Sequence, residues 1–213
     1  LELVSRRTEG LSLFYTELDR RFIDVREIPK MGRNAVDSNE LFIEALPVPV
    51  ADRIGEEGKG FECILHGMNP ERILIGAEAI GLGRAALRKA ALYAKQRIVF
   101  DRPIGQNQGI QFPIAESYME IEAANLMRYK AAALFDEKKH CGAEANMAKH
   151  LCAKASWEAA NVCIQTYGGF GFAAEYDVER KFRENRLYLV APISTNLILS
   201  YLAEHVLGLP RSF

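Results

Sequence analysis

Apolar residues recur along this chain of 213 residues with two different periods, and the change falls near residue 60. Before it, Leu11, Leu13 and Tyr15 alternate with polar neighbours, as do Leu41, Ile43 and Ala45. That is the period of a half-buried strand. Pro29, Gly32, Pro47, Pro49, Gly55 and Gly58 cut the region into short pieces. So few strands cannot close a sheet over a core of their own. Residues 1–58 therefore read as part of a β-domain whose other strands precede residue 1. The chain opens in mid-pattern at Leu1-Glu2-Leu3 without an initiator Met, and we expect it to be the C-terminal part of something longer.

From Gly60 onward the period is helical. Asn69-Pro70-Glu71 has the form of an N-cap, a proline at the first helical position and an acidic first turn. Gly76, Ile80, Gly83, Leu87, Ala90 and Ala94 then share one face, and their small size invites close helix packing. A second helix is expected over about 111–138, with Ala115, Met119, Ala123, Leu126 and Ala133 inward. A third is expected over about 143–167, with Ala148, Cys152, Ala155, Ala159 and Val162 inward. A short helix should follow Glu175, and a last one should run from about Ser194 to Leu207, ended by Gly208 and Pro210. Long amphipathic helices joined by short turns make an antiparallel, four-helix-type bundle. The fold class is mainly α: a bundle over 59–213 preceded by a β-domain fragment.

Charge removes some functions. The formal net charge is −1, which gives no footprint for nucleic acid or an anionic membrane surface. No apolar run is long enough to span a bilayer as a helix. Cys63, Cys141, Cys152 and Cys163 form no C-x-x-C pair and have no histidine at zinc-ligand spacing, so no metal site is expected. Buried, reduced thiols suit the bacterial cytoplasm or a mitochondrial matrix. His66, His140, His150 and His205 lack a nucleophile or metal partner in sequence and read as structural or solvent-facing.

The most informative stretch is Gln165-Thr166-Tyr167-Gly168-Gly169-Phe170-Gly171-Phe172, at the end of the third helical run. Paired glycines let a ligand approach bare backbone, although a helix terminus and turn would need the same residues. Arg97-Ile98-Val99-Phe100 is expected to close the first long helix, and Gln108 comes soon after. An arginine there suits a diphosphate and an amide suits a base edge, while a cation is also favoured at any helix C-terminus. Gly81-Leu82-Gly83-Arg84-Ala85-Ala86 matches a dinucleotide fingerprint, but it lies inside a helical pattern rather than between a strand and a helix start, so it is rejected.

Taken together these residues resemble the acyl-CoA dehydrogenase family. Met68-Asn69-Pro70-Glu71-Arg72, Arg97-x-x-Phe100, Gln108, the Gln165-to-Phe172 block and Arg183 stand in that family's order and spacing. Met31-Gly32-Arg33, Glu40-Leu41-Phe42, Val48-Pro49 and Gly55-Glu56-Glu57-Gly58-Lys59-Gly60-Phe61 look like the second half of its middle β-domain. The resemblance covers about 20–213. It implies FAD, with Arg97 at the diphosphate, Phe100 as its aromatic partner, and Gln108 at the flavin. It also implies that Gln165, Gly168 and Gly169 hold the ADP moiety across a dimer interface, in a homodimer or homotetramer. Ser194 and Asn196 match flavin contacts, though they equally suit an N-cap and first turn.

The implied reaction is α,β-dehydrogenation of an acyl-CoA, with an electron-transfer flavoprotein as acceptor. Many members carry the catalytic glutamate in a Glu-Gly-Thr segment soon after the conserved arginine. Counting from Arg183, that position is Pro192 here and the next is Ile193. Proline can neither accept a proton nor offer a backbone N–H. The resemblance then points to Glu71, because a subgroup carries its base on the bundle helix in the same Glu-Arg context. Glu71 alone would read as an acid favoured by the helix dipole. Asn69 and Arg72 match substrate-side positions near the thioester, and Arg72 would equally serve a structural ion pair. Two other readings remain at this stage: a same-fold oxidase or monooxygenase, and a catalytically silent subunit of a heteromeric dehydrogenase.

Overall fold

The structure, a computed structural model, describes residues 8–211. The expectation drawn from Leu1-Glu2-Leu3 lies outside the described residues. The chain divides between Met68 and Asn69 into two compact units.

The first unit is built from four short strands, β1 (Leu13–Phe14), β2 (Ile23–Glu27), β3 (Asn39–Ile43) and β4 (Arg53–Ile54). They form two separate antiparallel pairs, β1 with β4 and β2 with β3, with Ile23 opposite Ile43. Ala45 takes a positive φ of 50°, so the alternation read at Leu41, Ile43 and Ala45 stops at Ile43. Ile23 is the one buried apolar residue among the described residues of this unit.

Helix α1 (Gly60–Gln96) runs through the division. Its start is a correction to the sequence reading. The helix begins at Gly60 rather than at Asn69, and Pro70 lies inside it. Proline within a helix forfeits one backbone bond. Asn69 does not act as the expected cap; its Oδ1 accepts a hydrogen bond from Arg72 Nη1 at 3.0 Å. Gly60 fits the start because a Cβ there would stand 2.4 Å from the Leu13 amide nitrogen.

The second unit packs the rest of α1 against α2 (Gln108–Asp136), α3 (Gly142–Tyr167), α4 (Val178–Asn185) and α5 (Thr195–Tyr201). All six expected inward positions of α1 are buried, as are Ala148, Cys152, Ala155 and Ala159 of α3. Gly83 shows why the α1 face is small: a Cβ there would lie 2.6 Å from Ile121 Cδ1 and 3.1 Å from the Ser156 backbone. The Gly81–Ala86 decoy is thus a packing surface within a helix. Ser156 donates to the Ala79 carbonyl at 2.6 Å and also meets Asn185 Oδ1, while Asn185 Nδ2 donates to the Lys181 carbonyl. This buried chain of polar contacts ties α1, α3 and α4 together.

The inward face expected for α2 is wrong. Ala115, Met119, Ala123, Leu126 and Ala133 are all exposed, Leu126 to 71%. The buried residues are Ser117, Ile121, Ala124, Asn125 and Ala131. The interface with α3 selects small or hydrogen-bonding residues, as where Cys152 Sγ meets the Ala124 carbonyl at 3.5 Å. Apolar periodicity followed the opposite face.

Candidate functional site

Between α1 and α2 the chain makes a hairpin of β5 (Ile98–Val99) and β6 (Arg102–Pro103). Its two-residue turn, Phe100-Asp101, has φ of 52° and 61°, as a tight hairpin turn with two left-handed residues requires. Arg97 therefore does not end α1 as expected; it leads into this hairpin. Phe100 stands at the tip, 93% exposed. Gly105 lets the following turn lie against α1, since a Cβ there would be 2.8 Å from the Ala94 carbonyl oxygen. Gln108 is the first residue of α2 and is exposed.

The hairpin meets the glycine block. The Arg97 guanidinium lies 5.3 Å from the centre of the Phe170 ring. Tyr167 stacks on Tyr93 at 4.0 Å, which fixes the end of α3 against α1. The three glycines differ in purpose. Gly168 has a φ of 59°, and its N–H caps α3 by donating to the Gln165 and Ile164 carbonyls. A Cβ on Gly168 or Gly169 would meet nothing within 4 Å, whereas one on Gly171 would sit 2.7 Å from the Ile164 carbonyl oxygen. Gly168 and Gly169 thus offer open backbone, and Gly171 packs. Gln165 is exposed and lines a groove of about 1030 Å³ with Phe172, Glu179, Phe182 and Arg183. Arg183 is paired with Glu179 at 2.6 Å.

The Asp177 carboxylate anchors this corner. It lies 2.6 Å from Lys181, 2.5 Å from Arg180 and 3.7 Å from Lys89. Burial works to raise its pKa, but the hydrogen bonds from Arg180 and Lys181 outweigh it and hold the group at about 2.

A second set of polar residues gathers on α1, α3 and α5. Glu71 is exposed; Arg72 is 9% exposed. Burial pushes the Arg72 guanidinium below its usual pKa, while the fields of Tyr201 and Glu71 act the other way. Its Nε is buried without a hydrogen-bond partner. Lys149 is fully buried, and its ammonium donates to the Ile193 carbonyl at 2.6 Å. Burial, and next the nearby Arg72 charge, bring Lys149 down to about 8. Pro192, in a cis bond with Ala191, immediately precedes Ile193. Sequence reasoning missed Lys149, although its signal was legible: a lysine on the same helical stripe as Ala145, Cys152 and Ser156.

Ser194 caps α5, its Oγ accepting from the Leu197 amide at 3.4 Å, and Asn196 is exposed in the first turn. No hydrogen bond among the described residues joins either to the Arg97 corner. All four cysteines are free, and burial pushes Cys152 up to about 12 and Cys163 to about 11. Among the described residues no group of three or more His, Cys, Asp or Glu is placed to hold a metal ion, and no helix is long and apolar enough to cross a membrane.

Residues 58–207 match the family model of the acyl-CoA dehydrogenase C-terminal domain. Acyl-CoA dehydrogenase FadE12 of Mycobacterium tuberculosis is 40% identical over 176 residues, covering 82% of this chain and 45% of the relative. An acyl-CoA dehydrogenase of Bacillus subtilis is 36% identical over 200 residues, covering 93% and 53%. The solved structure of butyryl-CoA dehydrogenase from Megasphaera elsdenii superposes with a TM-score of 0.91 at 30% identity, covering 96% of this chain and 54% of that one. The chain thus spans about half the length of the curated relatives it matches. By sequence and by fold alike, it belongs to the acyl-CoA dehydrogenases, a family of flavoprotein oxidoreductases.

Proposed function

We propose that this chain forms the C-terminal part of an FAD-dependent acyl-CoA dehydrogenase in which Glu71 takes the α-proton of the substrate. Residues 1–58 are then the end of the middle β-domain, and 59–213 the C-terminal bundle domain. Arg72 and Lys149 link the two base positions considered from sequence. Glu71 acts on Arg72, Arg72 acts on Lys149, and Lys149 binds the carbonyl of Ile193, next to Pro192. Glu71 thereby lies within one electrostatic neighbourhood with the segment that lacks a carboxylate.

The glycine corner fits a diphosphate cofactor. Arg97 is exposed and makes no ion pair among the described residues, and Gly168 and Gly169 leave their backbone open beside it. In this reading Arg97 neutralises the FAD diphosphate, Phe100 packs against it, and Gln108 contacts the flavin. Gln165, Gly168 and Gly169 hold the ADP moiety across the interface of a homodimer or homotetramer. Ser194 and Asn196, at the start of α5, would contact the flavin. When bound, FAD supplies the acceptor for the hydride that leaves the β-carbon, and an electron-transfer flavoprotein removes the electrons.

Glu71 must abstract a weakly acidic α-proton, so the acyl-CoA has to shield it from water and raise its basicity. Asn69 and Arg72 stand on the same helical turn, where hydrogen bonds to the thioester would stabilise the charge that develops on its oxygen. The test is flavin absorbance of the intact protein mixed with a panel of acyl-CoAs. A parent protein that bleaches and a Glu71→Gln variant that binds flavin without bleaching would support the assignment. Bleaching undiminished in Glu71→Gln would remove Glu71 as the base.

A further inference from the structure

Arg72 and Lys149 form an unusual pair. Both are at least nine-tenths buried, and neither makes an ion pair among the described residues. The field of Arg72 acts on the Lys149 ammonium and lowers its tolerance for charge. Buried charges in proteins are ordinarily paired, since desolvation without a partner is costly. The acid whose field acts on Arg72 is Glu71, which is exposed to solvent.

The donors point to what is missing. Arg72 gives one N–H to Asn69, and its buried Nε–H goes to no acceptor. An ammonium carries three donors, and Lys149 gives one to the Ile193 carbonyl. The residues next to them, Ile73 and Ala148, are packed with Ala131 and Ala145 in one apolar cluster, which keeps that flank dry. Around them Asn69, Ile193 and Tyr201 are only half-buried.

We propose that Arg72 and Lys149 form a seat for a carboxylate carried by a small-molecule ligand. One carboxylate oxygen accepts the Arg72 Nε–H and the other accepts from the Lys149 ammonium. A planar two-oxygen anion matches a guanidinium edge beside a point charge. The carboxylate can arrive in two ways, as a free small acid or as the far end of an acyl chain on coenzyme A. The second rests on the acyl-CoA reading above, and would make the substrate a dicarboxylic acid monothioester.

The experiment has two arms on the intact protein. In the first, sodium acetate is titrated against sodium chloride at equal ionic strength, and the arginine Nε–H resonances are followed by NMR. The Arg72 signal is assigned by its loss in Arg72→Lys. The seat predicts a saturable shift of that signal with acetate alone, with affinity lowered about tenfold or more in Lys149→Met, as for the loss of a hydrogen bond between charged groups. In the second arm, calorimetry compares glutaryl-CoA with pentanoyl-CoA. The seat as an acyl-tail site predicts about tenfold tighter binding of glutaryl-CoA, with the preference abolished in Lys149→Met.

The outcomes separate the two claims. If acetate saturates the site and neither thioester binds, the seat stands and the acyl-CoA reading falls. If acetate saturates the site and both thioesters bind alike, the seat serves a free acid. If acetate leaves the Arg72 signal unmoved, the seat is wrong even where both thioesters bind. If acetate moves it equally in the parent and in Lys149→Met, an adventitious ion only has been seen, and the seat is likewise wrong. Should Arg72→Lys fail to fold, sequential resonance assignment of the parent identifies the Arg72 Nε–H instead, so the parent titration still decides.

Discussion

Arg72 and Arg97 stand on and just beyond the same helix, α1, and the chain uses them in opposite ways. Arg97 is exposed, and its guanidinium rests over the Phe170 ring beside open glycine backbone. Arg72 is 9% exposed, with a buried donor left unpaired and a buried lysine within its field. The Arg97 corner costs the fold little, because water solvates the charge until a ligand displaces it. The Arg72 corner carries its electrostatic penalty into the folded state. One helix thus leads to an arginine that water still solvates and carries another whose charge is stripped of water before any ligand arrives.

If that contrast is right, the largest stability effect belongs to the buried corner. Lys149 has a folded pKa of about 8 against an ordinary 10.5. Below about 8 both states are charged and the folded state bears the full penalty. Between the two values the folded state loses its proton first, so stability rises with pH. Urea unfolding should show the parent gaining about 3 kcal/mol relative to Lys149→Met across that window. Parallel pH profiles for the two proteins would break the contrast.

The glycine block offers a sharper internal comparison. Gly171→Ala forces a Cβ toward the Ile164 carbonyl at 2.7 Å and should cost about 1–3 kcal/mol by thermal or urea unfolding. Gly168→Ala meets no atom, but its φ of 59° with a ψ of −134° is a conformation that few residues besides glycine adopt, and should cost about 1–3 kcal/mol. Gly169→Ala has neither problem and should be near neutral in stability while weakening flavin binding. A loss at Gly169 equal to that at Gly171 would mean that this backbone packs rather than waits for a ligand.

Smaller effects are expected at the exposed charges. Arg97→Ala should change stability by about 0.5–1 kcal/mol, the range for an exposed cation over a ring, yet lower FAD affinity more strongly. Asp177→Asn keeps a residue type that tolerates the φ of 57° found there. Its carboxylate is held below its ordinary 3.8, at about 2, so its stabilising pairs are present above 3.8 and lost as pH falls toward 2. The stability difference between parent and Asp177→Asn should shrink across that acid window.

How far the sequence could be read depended on what each helix buries. The α1 and α3 faces were legible because Gly76, Ile80, Gly83, Leu87, Ala148, Cys152 and Ala159 are small or apolar and recur at helical spacing. The α2 face was not, because Ser117 and Asn125 are buried there while Met119 and Leu126 are exposed. Apolar spacing cannot choose between two faces when the buried one is selected for close approach. Pro70 misled the placement of the helix start, since proline at a first turn and proline tolerated inside a helix look alike in sequence. Arg97 and the glycine block were legible as a pair, and the structure places Arg97 over Phe170. Lys149 was passed over because a single lysine in an alanine-rich helix looks like a solvated charge until its neighbours are known.

Glu71, on the helix that carries the buried corner, is proposed to hold the chemistry that the segment around Pro192 lacks. Stopped-flow flavin absorbance of the intact protein with saturating acyl-CoA measures it directly. Glu71→Gln should slow bleaching by about 10²–10⁴-fold with FAD still bound, and Pro192→Ala should leave the rate within a few-fold of the parent. Bleaching at the parent rate in Glu71→Gln would contradict it.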